Sequence, residues 1–175
     1  MSPKKRIGFV SFILLITVFL DQGTKKLATQ MLMGHPPIPY WNNFFRFDYV
    51  ENPGAFLSLG GTLSPSVRFW VLNIAVSVFL LVLLYSVITS KTMTFFNTLC
   101  LSLVLGGGIS NLIDRFFRHN GQVVDFMNMG IGSLRTGVFN VADVFIMFGI
   151  IAYALTTLAA PQAESDSVGP DESKA

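Results

Sequence analysis

Residues 106–143 read GGGISNLIDRFFRHNGQVVDFMNMGIGSLRTGVFNVAD, and they join two long apolar runs of the chain. Three aspartates of this stretch, Asp114, Asp125 and Asp143, lie at or between the ends of these runs. Ionisable side chains beside lipid-buried segments are costly and usually have a function. The stretch therefore predicts a functional site, provided that other parts of the chain bring polar groups to the same place.

The composition indicates a membrane protein rather than a soluble domain. Of the 175 residues, 51% are apolar and 13% are charged, whereas charged residues make up about 25% of a typical soluble domain. The net charge is +2, and no Lys/Arg run beyond the N-terminus is long enough for a nucleic-acid patch, so we expect no nucleic-acid partner. Cys100 is the only cysteine, and His35 and His119 lack metal-ligand spacing, so we expect no metal and no cofactor.

Apolar runs predict a polytopic α-helical membrane protein with four transmembrane helices. The spans are expected at about residues 7–29, 67–89, 94–113 and 139–160. Residues 1–160 then form a single membrane-embedded domain. Residues 161–175 are acidic, polar and rich in Ser and Pro, which predicts a disordered cytoplasmic tail.

The N-terminus resembles a signal peptide that is not removed. Lys4–Arg6 is basic and Ile7–Leu20 is almost entirely apolar, but no small-x-small cleavage site follows. Asp21 and Lys25 come next, and we expect the helix to continue through them towards Leu32. Their i, i+4 spacing puts them on one helix face, where they can pair.

Two polar connections carry strand patterns, which predict a small β-sheet. Phe45, Phe47 and Tyr49 alternate with polar residues, the period of a strand with one buried face. Val123–Phe126 forms a second strand-like segment, with Asp125 inside it.

The predicted topology brings the polar side chains to one membrane surface. Four spans place both termini on the same side, and the basic cluster Lys4–Arg6 favours the cytoplasm for that side. Both long connections and the span ends that carry Asp21, Asn111 and Asp143 then lie at the outer face. Asn73 is an exception, since we expect it, with Ser77, inside the second span.

Small residues at 106–110 have two readings that can both hold. Gly106 and Ser110 form a small-xxx-small pair, which indicates close packing of helices. Glycine also permits close approach of the backbone to a substrate or to another element.

The available side chains favour a paired-aspartate mechanism. No serine lies beside a credible histidine, so a Ser–His–Asp triad is unsupported. Two neighbouring carboxyl groups can share one proton, with one activating water and the other protonating the leaving group. Asp114 precedes Arg115, which favours a structural ion pair, whereas Asp125 and Asp143 have no basic residue within four positions. The pattern alone fits loop or helix-capping carboxylates equally well.

Five short motifs in order give a specific resemblance. They are Asp21-Gln22 with Lys25, Asn52-x-Gly54-Ala55-Phe56, the glycine-rich segment Gly106–Arg115, Val124-Asp125-Phe126, and Phe139-Asn140-x-Ala142-Asp143. Over about residues 4–160 the chain resembles the bacterial lipoprotein signal peptidase (signal peptidase II) family.

The resemblance implies a membrane aspartic endopeptidase that removes signal peptides from diacylglyceryl-modified prolipoproteins and cuts before the lipidated cysteine. By motif match, the catalytic residues are Asp125 and Asp143. The positions that line or support the site are Asn52, Gly54, Asn111, Arg115 and Asn140, and the supporting structural positions are Asp21, Lys25 and Asp114.

The same resemblance implies a setting and partners. It implies the bacterial cytoplasmic membrane, a multi-pass chain with both termini cytoplasmic, and an active site at the outer face. A short lid helix and the small sheet are expected there. The partners are the prolipoprotein substrate and membrane lipid, and we expect a monomer.

Two departures from the family pattern bear on the function. Ser110 stands where the glycine-rich segment usually has glycine, and Pro53 stiffens the Asn-x-Gly loop. A divergent membrane protease with another substrate therefore remains open. The residues also allow a carboxylate-based transporter or proton relay, or an assembly protein whose aspartates are structural.

Overall fold

Four long helices form the body of the protein in a computed structural model, which describes residues 1–55 and 60–159. All four are long and apolar enough to cross a membrane: α1 (Pro3–Leu32), α2 (Pro65–Thr89), α3 (Phe95–Phe117) and α4 (Val141–Ala159). The expected four-helix architecture is therefore confirmed. The predicted tail at 161–175 lies outside the described residues.

Local capping explains where the inner helices begin. Ser64 accepts a hydrogen bond from the Val67 amide at 3.4 Å, directly before Pro65. Thr94 accepts one from the Asn97 amide at 3.1 Å at the start of α3. Such side chains satisfy amides that have no partner in the first helical turn.

α3 is the central helix and continues further than the sequence suggested. It packs against α1, α2 and α4, and it ends at Phe117 rather than near residue 113. Asp114 and Arg115 thus lie inside its last turn and not in the following connection. The helix can continue because Asp114 is compensated by cations from two directions.

Glycines allow α3 to approach its neighbours closely. A Cβ atom on Gly106 would lie 2.7 Å from the Thr17 Cβ of α1. One on Gly107 would lie 2.6 Å from the Ala142 carbonyl oxygen of α4. Both distances are too short for real Cβ contacts, so close packing of helices is a sufficient reason for these glycines.

A four-stranded antiparallel sheet is built from the two long connections. Its order is β1 (Ile38–Tyr40), β2 (Phe45–Asn52), β3 (Val123–Ile131) and β4 (Leu134–Arg135). The small sheet predicted from the alternating pattern is thereby confirmed. The lid helix expected in the first connection falls partly on residues 56–59, outside the described residues.

The sheet lies at the membrane surface where α1 ends, α2 begins, α3 ends and α4 begins; we call this surface the site face. β2 and β3 pair with Val50 opposite Asp125 and Asn52 opposite Val123. Met127 also forms an isolated bridge with Phe139, the second residue before α4. This bridge fixes the sheet to the start of α4.

Arg6 has a different environment from the one that its place in a basic cluster suggested. Its side chain is 3% exposed and donates to the Val87 carbonyl at 3.4 Å and the Met93 carbonyl at 3.3 Å. A third donation goes to Ser90. Arg6 therefore closes the end of α2 opposite the site face, rather than standing free in solvent.

Candidate active site

Asp125 is held near the start of β3 by two carboxamides. It is 1% exposed. Its Oδ2 accepts a hydrogen bond from Asn52 Nδ2 at 2.8 Å, and its Oδ1 accepts one from Asn140 Nδ2 at 2.6 Å. Burial and, to a lesser extent, the nearby Asp143 carboxylate raise the pKa of Asp125 to about 7. The two amide bonds and Lys25 lower this pKa but do not cancel the effect of burial.

Asp143 lies in the first turn of α4 and forms a reciprocal cap with Asn140. The Asp143 amide donates to Asn140 Oδ1 at 3.0 Å, and the Asn140 amide donates to Asp143 Oδ2 at 3.1 Å. This is the hydrogen-bond pattern of a capping box. The remaining oxygen, Oδ1, accepts from Asn111 Nδ2 at 3.0 Å. The cap fixes the carboxylate without neutralising it.

Asn140 brings the two carboxylates into one site. Its side chain donates to Asp125 while its backbone and side chain both contact Asp143. The Met127–Phe139 bridge explains this placement, because the Phe139 amide donates to the Met127 carbonyl at 2.8 Å and the Met127 amide returns a bond at 2.9 Å. β3 is thereby fixed directly beside the cap of α4.

A buried charged cluster lies behind this pair and supports it. Lys25 Nζ lies 2.7 Å from Asp21 Oδ2 and 2.9 Å from Asp114 Oδ2, and it donates to Asn111 Oδ1 at 2.8 Å. Because an ammonium group only donates, it holds the Asn111 oxygen towards itself and leaves Nδ2 facing Asp143. Lys25 therefore helps to set the orientation of a carboxamide that contacts the candidate pair.

The same cluster joins four elements of the fold. Asp21 of α1 accepts from the Ala142 amide at 2.8 Å and from Ser110 Oγ at 2.7 Å. Asp114 of α3 accepts from the Val124 amide of β3 at 3.2 Å. α1, α3, β3 and α4 are thus fixed to one another by carboxylates whose charge is compensated.

Asn52, Gly54 and Arg115 form the wall on the side of the first connection. Asn52 Oδ1 accepts from the Gly54 amide at 2.8 Å, so the Asn52 carboxamide points its Nδ2 at Asp125. Arg115 Nη2 donates to the Gly54 carbonyl at 2.8 Å. The structure therefore brings all ten sequence-predicted site residues to one region at the site face.

The expected pair between Asp114 and Arg115 is wrong. Asp114 pairs with Lys25 and with Arg118 Nε at 2.9 Å, whereas Arg115 donates to backbone carbonyls of Gly54 and Asn111. Adjacent residues on a helix point in different directions, while residues four apart share a face. The i, i+4 spacing of Asp114 and Arg118 was the signal that could have found the true partner.

Two further polar residues differ from their expected roles. Ser110, which the motif comparison marked as a packing departure, donates a hydrogen bond to Asp21 within the charged cluster. Asn73 lies inside the second span as expected, but it was not expected at the site face, and its Nδ2 lies 3.5 Å from the Arg115 carbonyl oxygen. Asn73 therefore lies at the site face, where its side chain has a hydrogen-bond partner.

The site is flanked by two unlike cavities. A groove of about 360 Å³ begins at Asp143 and is otherwise almost entirely apolar, with Phe139, Met147 and Phe148 among its lining. A cavity of about 290 Å³ lies by Arg115 and also contains Arg68 and Arg118. One side of the carboxylates thus suits hydrocarbon and the other suits negative charge.

Metal chemistry was not expected from the sequence, and that expectation stays a prediction. Within residues 1–55 and 60–159, no group of three or more His, Cys, Asp or Glu side chains has an arrangement that could hold a metal ion. Asp21 and Asp114 both form an ion pair with Lys25 instead.

Comparison with known proteins gives the family of this chain. The profile of the family described as signal peptidase (SPase) II matches residues 13–159. A lipoprotein signal peptidase of Caldanaerobacter subterraneus subsp. tengcongensis is 40% identical over 139 residues, which cover 79% of this chain and 88% of that protein. One of Borreliella afzelii is 33% identical over 158 residues, which cover 87% and 92%.

A solved structure shares the whole fold. A bacterial membrane enzyme determined by the in meso method matches with a TM-score of 0.75 at 28% identity, covering 93% of this chain and 96% of that chain. The family profile spans most of the chain, and the relatives match over nearly their full lengths. The chain therefore belongs to the signal peptidase II family of bacterial membrane peptidases.

Proposed function

We propose that this protein is an aspartic endopeptidase that removes signal peptides from prolipoproteins in a bacterial membrane, with Asp125 and Asp143 as its catalytic pair. Membership of the signal peptidase II family supports the substrate and the membrane setting. One observation carries the catalytic assignment: two carboxylates are joined through Asn140, and neither forms an ion pair with a cation within residues 1–55 and 60–159.

The pair is suited to share one proton near neutral pH. Asp125, whose pKa is raised to about 7, holds the proton and acts as the general acid. Asp143 accepts hydrogen bonds from Asn111 and from the Asn140 amide, and it lies in the first turn of a helix. Donor groups and a helix N-terminus both favour a negative charge, so Asp143 is the ionised member and the general base.

The reaction then follows in two proton transfers. Asp143 takes a proton from water as the water oxygen attacks the scissile carbonyl carbon, which gives a tetrahedral intermediate. Asp125 donates its proton to the amide nitrogen, the C–N bond breaks, and the products are a carboxylic acid and an amine. Asn52, Asn111 and Asn140 hold the two carboxylates in place during these steps.

The surroundings of the pair suit a substrate that arrives from the bilayer. The diacylglyceryl group on the substrate cysteine needs an apolar path, and the groove that begins at Asp143 supplies one. We also propose the orientation expected from the basic N-terminus, with both termini cytoplasmic and the site face outside. The protein acts as a monomer without metal, other cofactor or nucleic acid.

Cleavage of a diacylglyceryl-modified precursor by the purified protein tests the assignment. We expect Asp125→Asn and Asp143→Asn each to lower the cleavage rate by about 10³-fold or more, since each removes a proton-transfer group. Both variants should still insert and fold, because an amide is nearly isosteric with the carboxylate. Asp48→Asn, a change on β2 away from the pair, is the matched control and should cleave at the wild-type rate.

Two outcomes would reject parts of this proposal. Retained cleavage in both pair variants would show that these aspartates are structural. Equal cleavage of lipidated and unlipidated precursors would show a divergent protease that does not recognise the lipid.

A further inference from the structure

A basic cavity opens at the site face between the first turns of α2 and the last turns of α3. Its volume is about 290 Å³, and it is lined by three arginines, Arg68, Arg115 and Arg118, together with two asparagines, Asn73 and Asn120, and apolar side chains. Arg68 takes no part in the proposed peptidase chemistry. The cavity therefore needs an explanation of its own.

Two of these arginines keep donors that no carboxylate among the described residues accepts, although Asp143, Asp125 and Asp114 attract the Arg115 charge from beyond ion-pair distance. Arg118 pairs with Asp114 at 2.9 Å. Among the described residues, Arg68 and Arg115 donate hydrogen bonds only to backbone carbonyls, which for Arg68 is that of Gly61 at 3.4 Å. Neither forms an ion pair with any carboxylate among residues 1–55 and 60–159. The Arg115 Nε is buried and has no hydrogen-bond partner there. Guanidinium groups with free donors bind phosphate well.

The cavity lies at the level of lipid headgroups. Trp70, which directly follows the lining residue Phe69, is 62% exposed. Tryptophan and tyrosine side chains are enriched at the interface between membrane and water. α2 begins at this level with Pro65 and descends from it.

The cavity has both charged and apolar walls, which suits an amphiphilic ligand. Phe69, Leu72 and Phe116 line it beside the arginines. The segment Phe69–Ala75 of α2 is π-helical, and π-helical turns are frequent at functional sites. A free phosphate ion would use the arginines but leave the aromatic wall uncovered, whereas a phospholipid would use both.

We propose that this cavity binds one anionic phospholipid of the leaflet at the site face, with its phosphate between Arg68 and Arg115. Its acyl chains follow Phe69, Leu72 and Phe116 towards the bilayer. Guanidinium groups bind the phosphate of such a headgroup through charge-assisted hydrogen bonds. The lipid would thus lie beside Arg115, which contacts the wall of the candidate active site through Gly54.

Native mass spectrometry of the full-length protein tests this inference. The purified protein in detergent is mixed with equal amounts of phosphatidylglycerol and phosphatidylcholine. We expect one phosphatidylglycerol to be retained in preference to phosphatidylcholine. Arg68→Gln should weaken its retention by about tenfold, because one charge-assisted contact is lost. Lys91→Gln, which removes an exposed cation at the opposite surface, is the matched control and should retain the lipid like the wild type.

A second variant and a competition with inorganic phosphate decide between the possible results. Arg68→Lys keeps the charge and should recover part of the retention, provided that thermal unfolding shows all variants to be folded. Equal retention of both lipids, or wild-type retention by Arg68→Gln, would overturn the proposal. Complete displacement by millimolar inorganic phosphate would show a free-anion site and would also overturn it. No cleavage is measured, so the result does not depend on the peptidase assignment.

Discussion

Asp21 and Asp114 face cations, whereas Asp125 and Asp143 face carboxamides, although all four lie at the same end of one helix bundle. Lys25 lies within 2.9 Å of both members of the first pair. Asn140 contacts both members of the second pair, with Asn52 and Asn111 on either side. This difference shows how the fold separates carboxylates with a structural role from carboxylates that suit catalysis.

Cations and amides do different things to a buried carboxylate. A cation compensates the charge, so a carboxylate beside it stays ionised and holds its neighbours together. An amide donates a hydrogen bond without supplying a full charge, so the carboxylate keeps the ability to exchange a proton near neutral pH. The first pair thus suits a structural role, and the second suits acid–base catalysis.

Removing the shared cation should give the largest effect. Lys25→Met leaves Asp21 buried without a cation and Asp114 with only Arg118, and breaking a buried ion pair costs about 3–5 kcal/mol. We expect the free energy of unfolding to fall by that amount in a thermal or denaturant titration in detergent. Lys26→Met, a change at the exposed neighbouring position, is the control and should have almost no effect.

A combined variant sharpens this result. Adding Asp21→Asn and Asp114→Asn to Lys25→Met removes the uncompensated charges and should restore part of the lost stability. If Lys25→Met proved no more destabilising than Lys26→Met, the distinction between the two pairs of aspartates would be lost.

The raised pKa of Asp125 should give an intermediate, pH-dependent effect. Its pKa is about 7 in the folded protein and about 4 in an unfolded chain. The folded state therefore binds more protons between these values, and its stability falls as the pH rises through that window. Between pH 5 and pH 8 this group should lower the free energy of unfolding by about 2–3 kcal/mol.

Comparison of two variants isolates that contribution. Asp125→Asn cannot titrate, so its free energy of unfolding should change less between pH 5 and pH 8 than that of the wild type. Asp48→Asn should keep the wild-type dependence. An unchanged pH dependence in Asp125→Asn would assign the effect to another group.

Ser110 should give the smallest effect. Ser110→Ala removes a hydrogen bond to Asp21, which retains Lys25 and the Ala142 amide, and one accepted from Gln22, which retains Asp114. The expected loss is about 1 kcal/mol of stability, with cleavage close to the wild-type rate. Ser86→Ala, in which an exposed hydroxyl bonded within its own helix is lost, is the control. A large loss of cleavage in Ser110→Ala would place the charged cluster within the catalytic machinery.

Local patterns predicted much of the architecture. The apolar runs predicted four helices, and the alternation at Phe45, Phe47 and Tyr49 predicted β2. The i, i+4 spacing predicted that Asp21 and Lys25 would pair, and they do at 2.7 Å. These features depend on neighbours within a few positions, which a sequence displays directly.

Predictions failed where the partner of a side chain lies on another helix or strand. They also failed where the depth of a side chain depends on how its helix packs against another element. Asp114 was assigned to Arg115, but Lys25 reaches it from α1. Asn73 lies within the second span as expected, but it was not expected at the site face, where the relative depth of α2 and α3 puts it beside the Arg115 carbonyl. Neither the depth of a helix nor its rotation is readable from its own residues.

Sequence alone therefore determined the four spans and the strand that carries Asp125, because each is a short-range pattern. Only the tertiary structure decided that Asp125 meets the cap formed by Asn140 and Asp143. The Met127–Phe139 bridge and the pairing of Val50 with Asp125 fix that contact. The structure also decided which carboxylates share a cation, since long-range contacts depend on strand register and helix packing rather than on neighbouring residues.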